Sequence, residues 1–505
     1  MEERLRTRNL NFLNHNLESF QTRREQFAVE LRKEKRSKNI CKKREKMQKI
    51  VNDDQLDCLL SFPAQVLQYL PSNFESFSML NKLQFISQAL KSQIPDQVKE
   101  NLLEKIDNLV RQNKLELEIL YNIGFANSLI NILNCKSNSN MIISSMYILW
   151  CIINSNNEYI WDFYNDGLLD KVISFVCPGD VKVLDYAIWL LAAMSDEERI
   201  AIILLKDDIL IRLIKLYNCI GSYINSDIID DYGILLLNIT AHNYEFCKED
   251  AKLVCQIVIM IMKNKSFSKA EFIKSLYYLC RKESLIEIVI ASKVMDYVYE
   301  VMGIPENTEP AFELLGIISS GNSTQIEYLY KNNILDTCYI YALTDSYRIL
   351  KNIMITINNI ACESAAYIPL IISHNVFPLI LPKLIHNIEG VRIEASYLLS
   401  TIMTRASNDE TLHIIQLNIG NYIEQAFKFK EPEFLYNCLI ISIKIINLSS
   451  SYPDITKFVD IEQLISDINN LATNTNKKVS ELAETLLSSN INHVPDEPFE
   501  YDFLT

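Results

Sequence analysis

Eleven lysines and arginines fall within residues 22–47, "TRREQFAVELRKEKRSKNICKKREKM", and cationic side chains at that density grip anions, whether phosphate, carboxylate or an acidic protein face. The first fifty residues carry fifteen Lys and Arg against seven Asp and Glu, a net of +8. The whole chain is −14, which leaves −22 on the remaining 455 residues. A basic arm on an acidic body has three partners open to it: nucleic acid, an acidic receptor, or its own body. A body at −22 repels phosphate, so no direct nucleic-acid contact is expected. A second chemistry lies further on. Trp150 and Asn154 stand four apart, and Asn238 and Asn359 recur at related positions. Asparagine offers a donor and an acceptor that can clamp the backbone of an extended peptide. An indole face accepts the stem and cation of Lys or Arg.

These residues must be positioned by helices. Gly and Pro number only 10 and 13, too few for a fold of many tight turns or Gly-rich ligand loops. Apolar residues at i, i+3, i+4 and i+7 mark a succession of amphipathic helices separated by Gly, Asn or Asp breaks. Aligned on Trp150, Trp189, Ile234, Lys274, Glu313, Ile355, Tyr397 and Ile443, the long helices step by about 42 residues. That period, with three helices per unit, is the armadillo signature, and it excludes tetratricopeptide and ankyrin arrays, whose periods are about 34 and 33. The expectation is an all-α, right-handed superhelical solenoid of about ten repeats over residues 75–488. A basic helical arm (1–48) and a linker (49–74) precede it, and an acidic-aromatic tail (489–505) follows.

On the third helix of each unit, a residue, the one three before it and the one four after it share a face. That face, read as the concave one, carries Trp150 and Asn154 in the second repeat and Asp231, Ile234 and Asn238 in the fourth. It carries Asn352, Ile355 and Asn359 in the seventh, and Glu394 and Tyr397 in the eighth. Either Trp reads as a cation wall or as core. Three Asn at equivalent positions argue for an exposed face, since a buried amide without partners costs roughly 1–3 kcal/mol.

Catalysis finds no support. Segment 316–323, "GIISSGNS", nearly matches a phosphate loop, but Asn322 stands where the Lys must be and no strand precedes it. No nucleophile elbow, zinc-helix or dinucleotide fingerprint occurs. The twelve cysteines include no C-x-x-C pair and the six histidines fall at no metal-ligand spacing, so neither metal nor cofactor is expected. The cysteines read as small buried apolar residues of a reducing compartment. The start lacks the apolar core of a signal peptide, and apolar runs such as 257–262 are too short to span a bilayer, so no membrane insertion is expected.

With these residues in view, the chain resembles the importin-α family, the adaptors that carry nuclear-localisation-signal cargo to importin-β. "RREQFAVELRKEKRSKNICKKRE" resembles the importin-β-binding segment, with Arg23, Arg24, Leu31, Arg32, Lys33, Lys35 and Arg36 on its pattern and Lys42, Lys43 and Arg44 at its terminal cluster. The stretches around "ITINNIACESAAYIP" and "RIEASYLLSTIMTRASNDETLHIIQ" resemble the family's seventh and eighth repeats, and "NHVPDEPFEYDF" its acidic-aromatic tail. The resemblance implies a major cargo groove at Trp150, Asn154, Trp189, Asp196, Asp231 and Asn238, with Asp196 taking the key cargo Lys, and a minor groove at Asn359, Glu394 and Tyr397. It implies an arm that engages importin-β and otherwise lays Lys42, Lys43 and Arg44 in its own groove. It further implies basic-signal cargo proteins, re-export by an exportin-class receptor with Ran, and shuttling between cytoplasm and nucleus. Departures are several: Ala193, Ile234 and Ile355 interrupt the Trp/Asn pairs, and the sixth repeat has Glu313 and Ile317. The rival reading is an armadillo scaffold that binds a non-basic partner.

Overall fold

The computed structural model describes residues 60–133, 137–221, 226–242, 246–264 and 270–488. Helices make up the secondary structure throughout, with no strand among the described residues. The long helices, which close successive repeats, are α1 (Asp96–Arg111), α2 (Ser139–Ser155), α3 (Val181–Met194), α4 (Ser226–Ala241) and α5 (Ala270–Cys280). They continue as α6 (Pro305–Ser319), α7 (Tyr347–Glu363), α8 (Glu389–Arg405), α9 (Pro432–Ser449) and α10 (Lys477–Ser488). Their first residues recur every 42–45 residues, the spacing expected of an armadillo array, except from α5 to α6, where the step is 35. The basic arm and the acidic-aromatic tail lie outside the described residues.

Most repeats place two short helices before the long one, and in six of them the break between the short pair has the same backbone solution. Gly124, Gly167, Asp208, Lys293, Asn333 and Asn418 each stand immediately before the second short helix with φ between 56° and 78°. This left-handed conformation suits Gly and is tolerated by Asn and Asp. The Gly, Asn and Asp breaks of the sequence are these corners, and Lys293 is the one whose residue type gives no warning.

The chain divides into two compact units between Ser275 and Leu276. In the first, α1 packs on α2, α2 on α3, and α3 on α4. Helix α2 buries Met141, Ile142, Met146, Tyr147, Ile148, Leu149, Trp150, Cys151, Ile152 and Ile153, nearly its whole circumference, because neighbours cover it on both sides. Each such side chain contributes about 1.5–3 kcal/mol of burial before the entropy of ordering is set against it. In the second unit α6, α7, α8, α9 and α10 follow the same rule, each packed on the next.

Two expectations change. Residues 60–74, expected as linker, bury Leu60, Phe62, Val66, Leu70 and Phe74, and the short helix Ala64–Leu67 packs on α1. The apolar spacing of that segment covers the otherwise open end of the first repeat, as a terminal repeat requires. Among the cysteines, Cys151, Cys255, Cys280, Cys338 and Cys438 are buried, but Cys177, Cys219 and Cys247 are exposed, since they lie at helix ends and loops.

Candidate peptide-binding groove

The face of the first unit that the sequence reads as the groove is built on α2 and α3. Tyr147 and Trp150 lie one turn apart on α2, and Tyr186 and Trp189 one turn apart on α3. The four rings form one cluster: Trp150 and Trp189 stack at 3.9 Å between centroids, and Tyr186 meets Trp189 edge-on at 5.6 Å. Tyr147 lies 6.2 Å from Trp150 and 6.1 Å from Trp189. Trp150 is 3% and Trp189 7% exposed. Of the two readings open from sequence, the core reading describes both indoles: they face one another and leave no slot between them for a lysine stem.

The asparagines are half-buried and hold the protein together. Asn154 donates its amide to the carbonyl of Trp150 in its own helix at 2.8 Å. Asn238 donates to Ala192 O of the preceding long helix at 2.7 Å. One turn on, a ring nitrogen of His242 meets Ser195 O at 2.9 Å. Asp196 follows the end of α3 and is half-buried. Asp231 is 1% exposed, so its carboxylate is withdrawn from the groove surface.

In the second unit Asn359 repeats the cross-helix bond of Asn238, donating to Ser319 Oγ at 3.0 Å and lying 3.5 Å from Gly316 O on α6. Glu394 is buried and pairs with Lys351 of α7 at 3.3 Å. The Tyr397 hydroxyl donates to the Glu433 carboxylate. Arg348 pairs with Glu309 at 3.0 Å, and Arg392 pairs with Glu431 while lying 3.9 Å above the Phe429 ring. The structure therefore brings Asn359, Glu394 and Tyr397 onto adjacent long helices, each with a protein partner.

Sequence reasoning missed the residues that face the aromatic cluster from α1. Arg111 Cζ lies 3.8 Å from the centroid of Tyr147. Its guanidinium contacts both carboxylate oxygens of Asp107, at 2.9 and 3.1 Å, and hydrogen-bonds to Tyr186. Ser144 donates to Asp107 at 3.0 Å. Burial pushes the Asp107 carboxyl above its ordinary value although Arg111 pulls the other way. A signal existed: Asp107 and Arg111 stand 11 and 15 residues after the start of α1, as Trp150 and Asn154 do after the start of α2.

Segment 316–323 is a helix end and turn, with Asn322 capping the next helix in a capping box with Gln325. Among the described residues no group of three His, Cys, Asp or Glu could hold a metal ion. No single described helix is long and apolar enough to cross a membrane.

Residues 8–106 match the importin beta binding domain family. No curated protein matches the sequence. Among solved structures, an engineered protein is similar at a TM-score of 0.66 with 14% identity, covering 80% of this chain and 98% of its own. A designed armadillo repeat protein is similar at a TM-score of 0.40 with 18% identity, over 46% of this chain and 98% of its own. The chain is all-α, built of armadillo-type three-helix repeats, and its residues 8–106 are similar to the importin beta binding domain family.

Proposed function

We propose that the chain is a nuclear-import adaptor, without catalytic activity, that binds Lys/Arg-rich nuclear localisation signals in its armadillo groove and couples them to importin-β. The observation that carries the reading is the importin beta binding domain match over residues 8–106, which runs from the basic arm into the first of the stacked helical repeats. Arg23, Arg24, Leu31, Arg32, Lys33, Lys35 and Arg36 engage importin-β, the cations by charge-assisted contacts spread along the segment. When the receptor is absent, Lys42, Lys43 and Arg44 compete with cargo for the acidic body at the high effective concentration a tether supplies. Release and return would use an exportin-class receptor with Ran, and the chain would shuttle between cytoplasm and nucleus.

The test is a titration of a labelled basic signal peptide into the full chain, with and without importin-β. The reading expects importin-β to bind and to raise the peptide affinity; no capture of importin-β would overturn it. One observation favours the scaffold as a second reading. The indoles of the first unit are stacked on each other and Glu394 of the second is paired with Lys351, so on each unit a basic side chain would have to displace an existing contact. Importin-β capture without any affinity for basic peptide would select the scaffold.

A further inference from the structure

The aromatic cluster of the first unit already holds a cation, and that cation belongs to the chain. Arg111 ends α1 and reaches across to α2 and α3, where its guanidinium lies 3.8 Å above Tyr147 and hydrogen-bonds to Tyr186. Two further contacts fix it, both to Asp107 one turn earlier in its own helix. A guanidinium has five N–H donors in one plane, so it can satisfy an acid and a phenol at its edge while its face rests on a ring. These are the interactions that an aromatic row offers to an arginine of a bound peptide. The pair Asp107/Arg111 also occupies, within α1, the register that Trp150/Asn154 occupy within α2.

We infer that Arg111 is a resident cation that sets the selectivity of the groove, holding the Tyr147/Tyr186 end of the aromatic row against basic peptides. The inference rests on the adaptor reading and names a control of the same groove. A peptide Lys or Arg arriving there exchanges one cation for another and gains little. The intramolecular cation has the additional advantage of its tether. Removing it leaves the Tyr147 face, Tyr186 hydroxyl and Asp107 carboxylate without their guanidinium, a constellation suited to one cation from solution.

The experiment compares the full-length chain with its Arg111→Gln, Arg111→Lys and Tyr186→Phe variants. Importin-β is held in excess so that the arm does not compete, and the probe is a short fluorescein-labelled alternating Lys-Arg peptide followed by anisotropy. Far-ultraviolet circular dichroism verifies that each variant is folded. Arg111→Gln should bind the peptide on the order of tenfold more tightly than the wild type, the size expected of a recovered cation-π site. Arg111→Lys should stay near wild type, and Tyr186→Phe, which only loosens the guanidinium, should gain a smaller factor. A role for Arg111 in stability alone would lower affinity or leave it unchanged. Equal or weaker binding by both Arg111→Gln and Tyr186→Phe, with a wild type that does bind, overturns the inference and leaves the adaptor reading standing. If no variant binds the peptide, the inference and the basic-signal groove fall together, while importin-β capture in the same preparations still reports on the arm.

Discussion

Trp150 and Trp189 stack across adjacent repeats at 3.9 Å, both nearly sealed from solvent. In a solenoid, where each repeat contacts only its neighbours, such a stack joins two units directly. Trp150→Ala should therefore cost about 3–5 kcal/mol of stability, the range for emptying a large aromatic site in a core. A urea titration followed by circular dichroism measures it. A midpoint unchanged from wild type would mean that the indole is a surface wall after all.

Asn238→Ala should remove the 2.7 Å bond to Ala192 O and destabilise the first unit by about 0.5–1.5 kcal/mol. Asn359→Ala should do the same in the second unit through Ser319. Leucine substitutions, which restore side-chain bulk but no donor, should not rescue either. Thermal melts of the four variants check this; full rescue by Leu would show that the amides act by packing rather than by hydrogen bonding.

Much of this was legible in the sequence, and what was not has a physical reason. The repeat period was readable because each unit needs a long apolar helix and a left-handed corner, and residues such as Gly124, Gly167 and Asn333 advertise the corner. The burial of Trp150 was not readable, because a residue on the groove face of a helix is sealed or open according to its neighbour's side chain. Here that neighbour is Trp189. The partners of Asn238 and Glu394 were hidden likewise: Ala192 O and Lys351 each lie more than forty residues away, across a repeat boundary. Composition weighs the total charge of the body but not which acids are already answered by the chain's own cations.

Asp107 supplies a pH signature. Its carboxyl is raised above the ordinary value of 3.8 by burial, which outweighs the pull of Arg111. A raised folded-state value means that the stabilising contribution of proton uptake is complete below the unfolded value and is lost as pH rises through the folded one. Asp107→Asn does not titrate. The stability difference, wild type minus variant, should therefore fall as pH climbs above the ordinary carboxyl value. Urea midpoints below and above that value test it, and a difference independent of pH would contradict the assignment.

Replacing Arg32, Lys33, Lys35 and Arg36 together by Ala should abolish importin-β capture without lowering the melting temperature of the body. Each contact is modest alone, and their loss accumulates along the segment. Retained capture by the fourfold variant would remove that stretch from the interface.

Coupling of a basic signal to importin-β by this one chain can be read in a single experiment. The most direct measurement is analytical ultracentrifugation of the full chain mixed with importin-β and a fluorescent basic signal peptide, with sedimentation read at the dye wavelength. The dye should co-sediment with a complex containing both proteins, and omitting importin-β should sharply reduce the bound dye. Dye that never sediments with the chain, or chain that never sediments with importin-β, would contradict the coupling.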